Sequence, residues 1–385
     1  MRRITGHWVD ISTVGETARA FIPEPLPPKP ELRFDTPTLE LLGRANRALG
    51  QLEGLATLLP ETSLFLYLYV RKEAVLSSQI EGTQSSLSDL LLYERDEIPG
   101  VPLEDVQEVS SYVAALGHGL ARLREGFPMS LRLLCEIHDV LLAHGRGSGK
   151  MPGELRRSQN WIGGSSPANA SFIPPPPHVL SQCMGDLEKF LNDQPDRTPV
   201  LIKAALAHVQ FETIHPFLDG NGRLGRLMIT LLLCNEGVLS EPILYLSLYF
   251  KVHRRAYYEH LQRVRTDGDW EGWLTFFLQG VVETAEAAVG ASKSLLDLFA
   301  DNQRRIEDLG AGVSSMLQVH GVLRGKPIAS INEVVSEVTL SRPTVSSVLG
   351  RLREMGILRE ISGRRRGRLF LYENYIEILT EATES

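Results

Sequence analysis

The chain is poor in cysteine. Its 385 residues hold three, Cys135, Cys183 and Cys234, far apart and set in apolar stretches. They form no CxxC pair and no metal-ligand spacing. That excludes a disulfide framework and a zinc ribbon, and predicts free thiols in a reducing compartment. Long apolar runs are also missing. None approaches the roughly 20 residues that cross a bilayer. The opening MRRITGHWVDISTVG is basic but has no apolar centre of a secretory signal. The expectation is therefore a cytoplasmic protein with no membrane contact. Nor is there an excess of positive charge: the net charge is -7, so the chain as a whole is not built to coat nucleic acid, although a local basic patch remains open. Internal repeats and low-complexity tracts are absent. With 43% hydrophobic and 23% charged residues, what remains is an ordinary globular chain, long enough for two or three domains.

The pattern along the chain predicts a mainly α protein. Residues 1–34 read as irregular, and the proline-rich FIPEPLPPKPEL as extended. Apolar residues then recur at three-to-four spacing from Thr36, with Pro37 in the first turn. Further helices are expected over 63–79, 104–123, 130–144, 180–192, 199–213, 223–236 and 251–264, and in a long one from Trp270. Arg156–Pro177 differs. The strand-like pieces QNWI and SFI flank a Gly/Ser/Pro/Asn turn, which predicts a β-hairpin in a helical region. Composition turns polar in DNQRRIEDLGAG, which sets a boundary near 301–312. Three parts are expected: 1–100, a core over 101–300, and 310–385. The last part predicts helices at 313–323, 331–338 and 342–355, with Ser341 as N-cap, then two strands around a basic turn. This order looks like a winged helix.

One segment carries most of the chemistry, HPFLDGNGRLGR from His215 to Arg226. A glycine-containing loop that runs into an apolar helix exposes backbone N–H groups and the positive end of a helix dipole, which together bind anions. Gly220 and Gly222 allow close approach of a phosphate. Arg223 and Arg226, three positions apart, share roughly one helix face and can fork around a polyphosphate. Asp219 supplies the hard oxygen that Mg²⁺ prefers. His215 is the side chain that can take a proton from a hydroxyl. A glycine-rich turn with surface arginines would need any one of these residues, but not all of them in this order. The set suits phosphoryl or nucleotidyl transfer from a Mg²⁺-nucleotide.

The segment resembles the signature HxFx(D/E)GNGRxxR of Fic proteins, with His215, Phe217, Asp219, Gly220, Asn221, Gly222, Arg223 and Arg226 all matching. The resemblance extends from about Lys72 to Phe277. It implies a Fic-type helical core and, as activity, transfer of AMP from ATP to a Ser, Thr or Tyr hydroxyl of a target protein or of the chain itself. His215 would be the general base. Asp219 would bind Mg²⁺. Asn221, Gly222 and Arg223 would hold the α- and β-phosphates, and Arg226 the γ-phosphate, with Gly220, Leu224 and Gly225 completing the ATP-binding turn. Phe217 would anchor the loop.

A second stretch, SSQIEG from Ser77 to Gly82, resembles the (S/T)xxxE(G/N) inhibitory motif of Fic relatives in which an inhibitory helix precedes the core. By itself it reads as a solvated glutamate at a helix end. The resemblance implies instead that Glu81 pairs with Arg226 and holds the enzyme off. The 156–177 hairpin resembles the Fic flap. Its target-docking residues would be Trp161, Ile162, Gly163, Phe172 and Ile173, through strand-edge pairing. Tyr257 and Tyr258 are expected to border the adenine. His138, His144 and His208 read as packed or capping residues. In residues 310–385, ten Lys/Arg stand against eight Asp/Glu. Arg364, Arg365, Arg366 and Arg368 would form a basic wing, but the small excess favours a protein contact over DNA. The family habit adds a homodimer. The rival reading is a DNA-binding regulator whose Fic core only senses ATP, and the intact His215 argues against it.

Overall fold

A computed structural model describes residues 3–13, 16–58, 62–94, 101–310, 312–362 and 368–381. Among them the protein is mainly helical, with small antiparallel sheets. The chain divides into two compact units: residues 1–53 with 69–285, and residues 54–68 with 286–385.

The first unit opens with strands β1 (Gly6–Thr13) and β2 (Glu16–Pro23), paired antiparallel from Gly6 opposite Pro23 to Thr13 opposite Glu16. This corrects the irregular start expected from the sequence. GHWVDIST and ETARAFIP are two β-rich runs of equal length around Val14-Gly15, a hairpin pattern that the neighbouring prolines obscure. The helices follow as α1 (Thr36–Leu58), α2 (Thr62–Ile80), α3 (Leu87–Tyr93), α4 (Leu103–Arg124), α5 (Leu131–Leu141), α6 (Leu180–Leu191), α7 (Val200–Ile214), α8 (Asn221–Asn235), α9 (Ser247–Val252), α10 (Arg254–Asp267) and α11 (Trp270–Glu307), of which the end of α1, the start of α2 and α11 from residue 286 belong to the second unit. The short α3 was not expected. Ser86 starts it, in a capping box closed by Asp89.

The centre of this unit is the pair α7–α8. Every residue of α7 from Leu201 to Ile214 is buried, so the helix has no polar face. α8 packs on it, and α4, α5, α6 and α10 surround the pair. A helix buried on all sides is positioned from all sides, and the loop joining α7 to α8 inherits that rigidity. Cys183 is buried, Cys135 and Cys234 are half-buried, and all three are free thiols.

The expected hairpin at 156–177 is smaller than predicted. Its strand pairing is reduced to one antiparallel bridge, Ile162 with Phe172, and the turn contains the 3₁₀ segment Pro167–Asn169. Proline removes backbone donors along Pro174–Pro177, and a longer ladder cannot form. The segment gains support from β2 instead: Phe21 N–H donates to the Ile173 carbonyl at 2.9 Å.

In the second unit, α12 (Val313–Gly325), α13 (Ile331–Glu337) and α14 (Arg342–Glu354) surround strands β3 (Ile328–Ser330), β4 (Arg359–Glu360) and β5 (Leu369–Leu371), and α15 (Glu373–Glu381) follows. The sheet order is β3-β5-β4, all antiparallel. β3 and α15 were not foreseen. Ser330 caps α13 in a box with Glu333, and Ser341 caps α14. The core is Met316, Val319, Leu323, Val345, Leu349, Leu352 and Phe370, and Phe299 meets Tyr375 edge-on at 5.2 Å. Arg364, Arg365 and Arg366 lie outside the described residues.

Candidate functional site

The chemistry of the α7–α8 loop starts from a helix stop. His215 precedes Pro216, and a residue before proline is pushed out of the α region. It leaves α7 with φ 48° and ψ 61°, a left-handed conformation uncommon for a residue with a side chain. Its N–H still closes α7 on the Phe211 carbonyl at 2.8 Å. Phe217 then drops fully into the core and stacks on His138, ring centroids 3.8 Å apart. Asn221 clamps the loop. Its Oδ1 accepts from Phe217 N–H and its Nδ2 donates to the Phe217 carbonyl, both at 2.9 Å. Gly220, at φ 73°, turns the chain into α8 as N-cap.

His138 holds the other side of the loop. Its Nδ1 accepts from Gly153 N–H at 2.9 Å, so the proton sits on Nε2, which donates to the Asp219 carbonyl at 3.0 Å. Burial pushes its pKa down to about 4, which keeps this tautomer neutral. Arg156 ties in the flap. Its Nε donates to the His215 carbonyl at 2.9 Å, and its other nitrogens to the Ser158 and Pro175 carbonyls. Neither His138 nor Arg156 stands in the motif. The sequence carried no signal for them beyond a histidine and an arginine on otherwise apolar or turn-rich text.

A free histidine side chain titrates near neutrality; in His215 the surroundings change that. Burial first, then the charges of Arg265 and Arg156, push it down to about 4. An imidazole in that state is a proton acceptor throughout the neutral range.

At the start of α8 the N–H groups of Asn221, Gly222 and Arg223 precede the first intrahelical bond, which Leu224 N–H makes to the Gly220 carbonyl. Leu224 is fully buried, and a Cβ on Gly225 would press on Glu212 and His208. The Leu224 side chain and the Cα of Gly225 therefore pack against the core. Each arginine has its own glutamate. Arg223 pairs with Glu108 of α4 at 2.9 Å, both side chains 3% exposed, and reaches Asp219 at 3.5 Å. Glu108 also meets Arg146 at 3.3 Å. Arg226 donates from Nε to Ser77 Oγ at 2.9 Å, and from Nη2 to the Ser77 carbonyl at 3.0 Å and to Glu81 Oε1 at 2.7 Å. Burial raises the Glu81 carboxyl. The Arg226 charge and hydrogen bond, with Arg223 behind them, outweigh that and hold it below the ordinary range. α2 ends at Ile80 and Gly82 sits at φ 100°, which aims the Glu81 side chain at the first turn of α8. A Cβ on Gly222 would collide with its Oε1.

The remaining expected residues scatter. Trp161 is 40% exposed, Ile162 bonds to Phe172 through both its N–H and its carbonyl, and Gly163 follows at φ 68°. Phe172 and Ile173 are buried. Trp8 and Phe21 of the β1–β2 hairpin and the Arg265 guanidinium pack against Phe172, and Ile173 joins Ala18 and Ala20. They support the flap and do not offer an edge. Tyr257 is a core residue whose hydroxyl meets His208 Nε2 at 2.8 Å, whereas Tyr258 is 41% exposed, with Arg254 over its ring. No cluster of three or more His, Cys, Asp or Glu side chains suited to a metal occurs among the described residues, and no described helix is long and apolar enough to cross a membrane.

Comparison with known proteins adds three findings. Residues 39–121 match the Fic/DOC family N-terminal model, and residues 128–233 match the Fic/DOC family model. The chain is 32% identical over 221 residues to the protein adenylyltransferase Fic of Aedes aegypti, and 29% identical over 220 to that of Drosophila melanogaster, covering 56% of this chain and 41% of each relative. It thus spans about two fifths of the length of the curated relatives it matches. In fold it is similar to a Fic family protein from Desulfovibrio desulfuricans G20, with a TM-score of 0.59 and 21% identity, over 89% of this chain and 98% of that one.

Proposed function

Since residues 39–233 carry the two regions of the Fic/DOC family, we propose that this chain transfers AMP from ATP to a Ser, Thr or Tyr hydroxyl of a target protein. The observation that carries the proposal is a neutral imidazole beside an anion-binding helix start: His215 and the Gly220–Arg226 turn are fixed by the same clamp at Phe217. The free N–H groups of Asn221, Gly222 and Arg223 and the α8 dipole would take the α- and β-phosphates. The two guanidinium groups would hold the chain's outer charge, Arg226 at the γ-phosphate. His215 accepts the hydroxyl proton. The hydroxyl oxygen bonds to the α-phosphorus, and the bond to pyrophosphate breaks with its electron pair on the leaving group.

A divalent cation fits this set. Mg²⁺ is usually held by one or two carboxylates, with phosphates and water completing its shell. Asp219, 41% exposed at the rim, is a carboxylate of that kind. When bound, Mg²⁺ would neutralise charge on the departing pyrophosphate.

Glu81 is the proposed brake. Its carboxylate occupies the guanidinium that the γ-phosphate needs and lies over the amides of the first turn of α8. The target would dock along Trp161, Ile162 and Gly163, and adenine would stack near Tyr258. The test is intact-protein mass after incubation with ATP and Mg²⁺, for the native chain, Glu81→Gly, and Glu81→Gly with His215→Ala. An AMP adduct on the second alone is the expected result. No adduct on any form, with an added hydroxyl protein also unmodified, would leave the chain as an ATP-sensing regulator.

For residues 313–371 the order helix, strand, helix, helix, strand, strand, with sheet order β3-β5-β4, supports a winged helix with α14 as the recognition helix. A protein contact is proposed for it ahead of DNA. Salt-dependent duplex binding that disappears on neutralising Arg364, Arg365, Arg366 and Arg368 would reverse that order. A cytoplasmic homodimer is proposed for the whole chain, to be tested by fractionation and by mass in solution.

A further inference from the structure

Glu212 lies three residues before His215, in the last turn of α7, a helix buried from Leu201 to Ile214. It is buried, 6% exposed, and its Oε1 has no hydrogen-bond partner. The His215 Nδ1 is also buried without a partner, 4.0 Å from Glu212 Oε2. Two orphaned buried polar groups so close together are rare, because each costs free energy while unsatisfied. The carboxyl lies against Gly225: a Cβ there would be 2.8 Å from Oε1 and would push it aside.

The Glu212 backbone carbonyl also lies by the ring and accepts from Arg265 Nη2 at 3.0 Å. One lone pair remains on it, so it and the side-chain carboxyl are the two acceptors for the ring N–H. The charges and titratable groups facing the carboxyl are Arg226 on α8, Arg265, Tyr257 and Tyr258 on α10, Glu81 after α2, and His208 one turn back on α7. Burial raises the Glu212 carboxyl to about 7, and Arg226, the largest opposing influence, lowers it.

We propose that Glu212 is a positioning residue for His215: its carboxylate receives the imidazole Nδ1–H and leaves Nε2 as the atom that takes the hydroxyl proton. Contacts of this kind are often long before substrate binds and tighten in the complex. When Nε2 takes the proton the ring becomes an imidazolium, and the carboxylate beside Nδ1 stabilises that charge. Release of Arg226 from Glu81 is coupled to the same carboxyl through charge, because Glu81 and Arg226 act on it with opposite sign.

The proposal rests on the AMP-transfer reading, and the test separates the two. In the full chain carrying Glu81→Gly, Glu212→Gln is compared with its parent. Transfer is measured against pH and ATP concentration, and the ¹⁵N imidazole signals of His215 are titrated without nucleotide. A fall in kcat of about 10–100-fold is expected, with KM for ATP unchanged and the His215 titration moved to lower pH. Unchanged kcat, or a fall in kcat matched by a rise in KM, would overturn the proposal. If the Glu81→Gly parent transfers nothing, the AMP-transfer reading fails. The ring titration then still decides the contact: an unmoved His215 signal refutes it.

Discussion

The two units bury different things. Residues 313–379 close over an aliphatic and aromatic core in which the buried polar contacts are few, as where Asn302 and His320 meet the Tyr372 hydroxyl at 2.8 and 3.1 Å. The α7–α8 region buries Lys72, Glu73, Glu108, Arg156, Glu212, Arg223, Arg226 and Arg265. A buried ion pair is poor evidence for stability, since desolvation offsets most of its attraction. An unpaired buried carboxyl is worse. The first unit tolerates these groups because α7 is buried along its length and anchors the loop regardless. The contrast indicates that the charges are there for chemistry and that the fold carries them at a cost.

The contrast can be broken or sharpened by experiment, and the largest effect belongs to the base. In the Glu81→Gly form, His215→Ala should lower AMP transfer by about 10²–10⁴-fold. A loss below threefold would mean that the imidazole is not the proton acceptor. Next comes the buried pair on α4. Glu108→Ala leaves Arg223 unmatched and should cost about 3–5 kcal/mol of stability. Leu349→Ala in the second unit should cost about 2–5 kcal/mol through its cavity. Only the first should also raise KM for ATP, and denaturant unfolding with ATP kinetics on both would show whether the two losses differ in kind. Relief of the brake follows: Glu81→Gly should raise transfer by about 10–100-fold, read by adduct formation over time.

The smallest effect is in pH dependence, and two single groups, Glu73 in the first unit and His320 in the second, should differ in sign. Burial raises the Glu73 carboxyl to about 7, while Ser247 and Tyr112 hydrogen-bond to it. The native state keeps that proton above the pH at which the unfolded chain loses it. Its contribution is therefore present below about 4.5 and lost as pH rises through 7. Burial lowers His320 to about 4. Its contribution is present above about 6.5 and lost as pH falls toward 4. Relative to the native chain, Glu73→Gln should gain stability from pH 5 to 8, and His320→Gln should gain as pH falls from 7 to 4. Thermal melts over that range would show it, and parallel curves would refute the assignment.

Much of the fold could be read from the sequence because most helices carry a strong period and clear punctuation. Pro37 sits in the first turn of α1, Ser341 caps α14, and Pro216 stops α7. The β1–β2 hairpin escaped because prolines nearby suggested irregular chain. β3 and α15 are short, and three residues of strand give little period to detect. For the site, the contiguous 215–226 string was visible, and so was Glu81 once the family resemblance was seen. Glu108, Arg156, His138 and Glu212 were not, since each lies on another element and reaches the loop only through packing. The available hint was chemical: a Lys, a His and a Glu in the apolar run of α7 are expensive there, and Glu212 is the one aimed at His215. Phe172 and Ile173 were misread for the opposite reason. Their alternation predicted an edge, and a strand from the start of the chain covers it.

The partner of Arg226 lies 145 residues earlier in the chain. A ribosome therefore makes Glu81 first, and at 5–20 residues per second roughly 7–29 s pass before Arg226 follows. The loop with His215 emerges in that interval, and α8 cannot complete it until α2 is already available to pack. Under the proposed inhibition, a finished phosphate site would at no moment exist during synthesis without the glutamate that would close it. With that segment placed after the core, each nascent chain would pass through an open period.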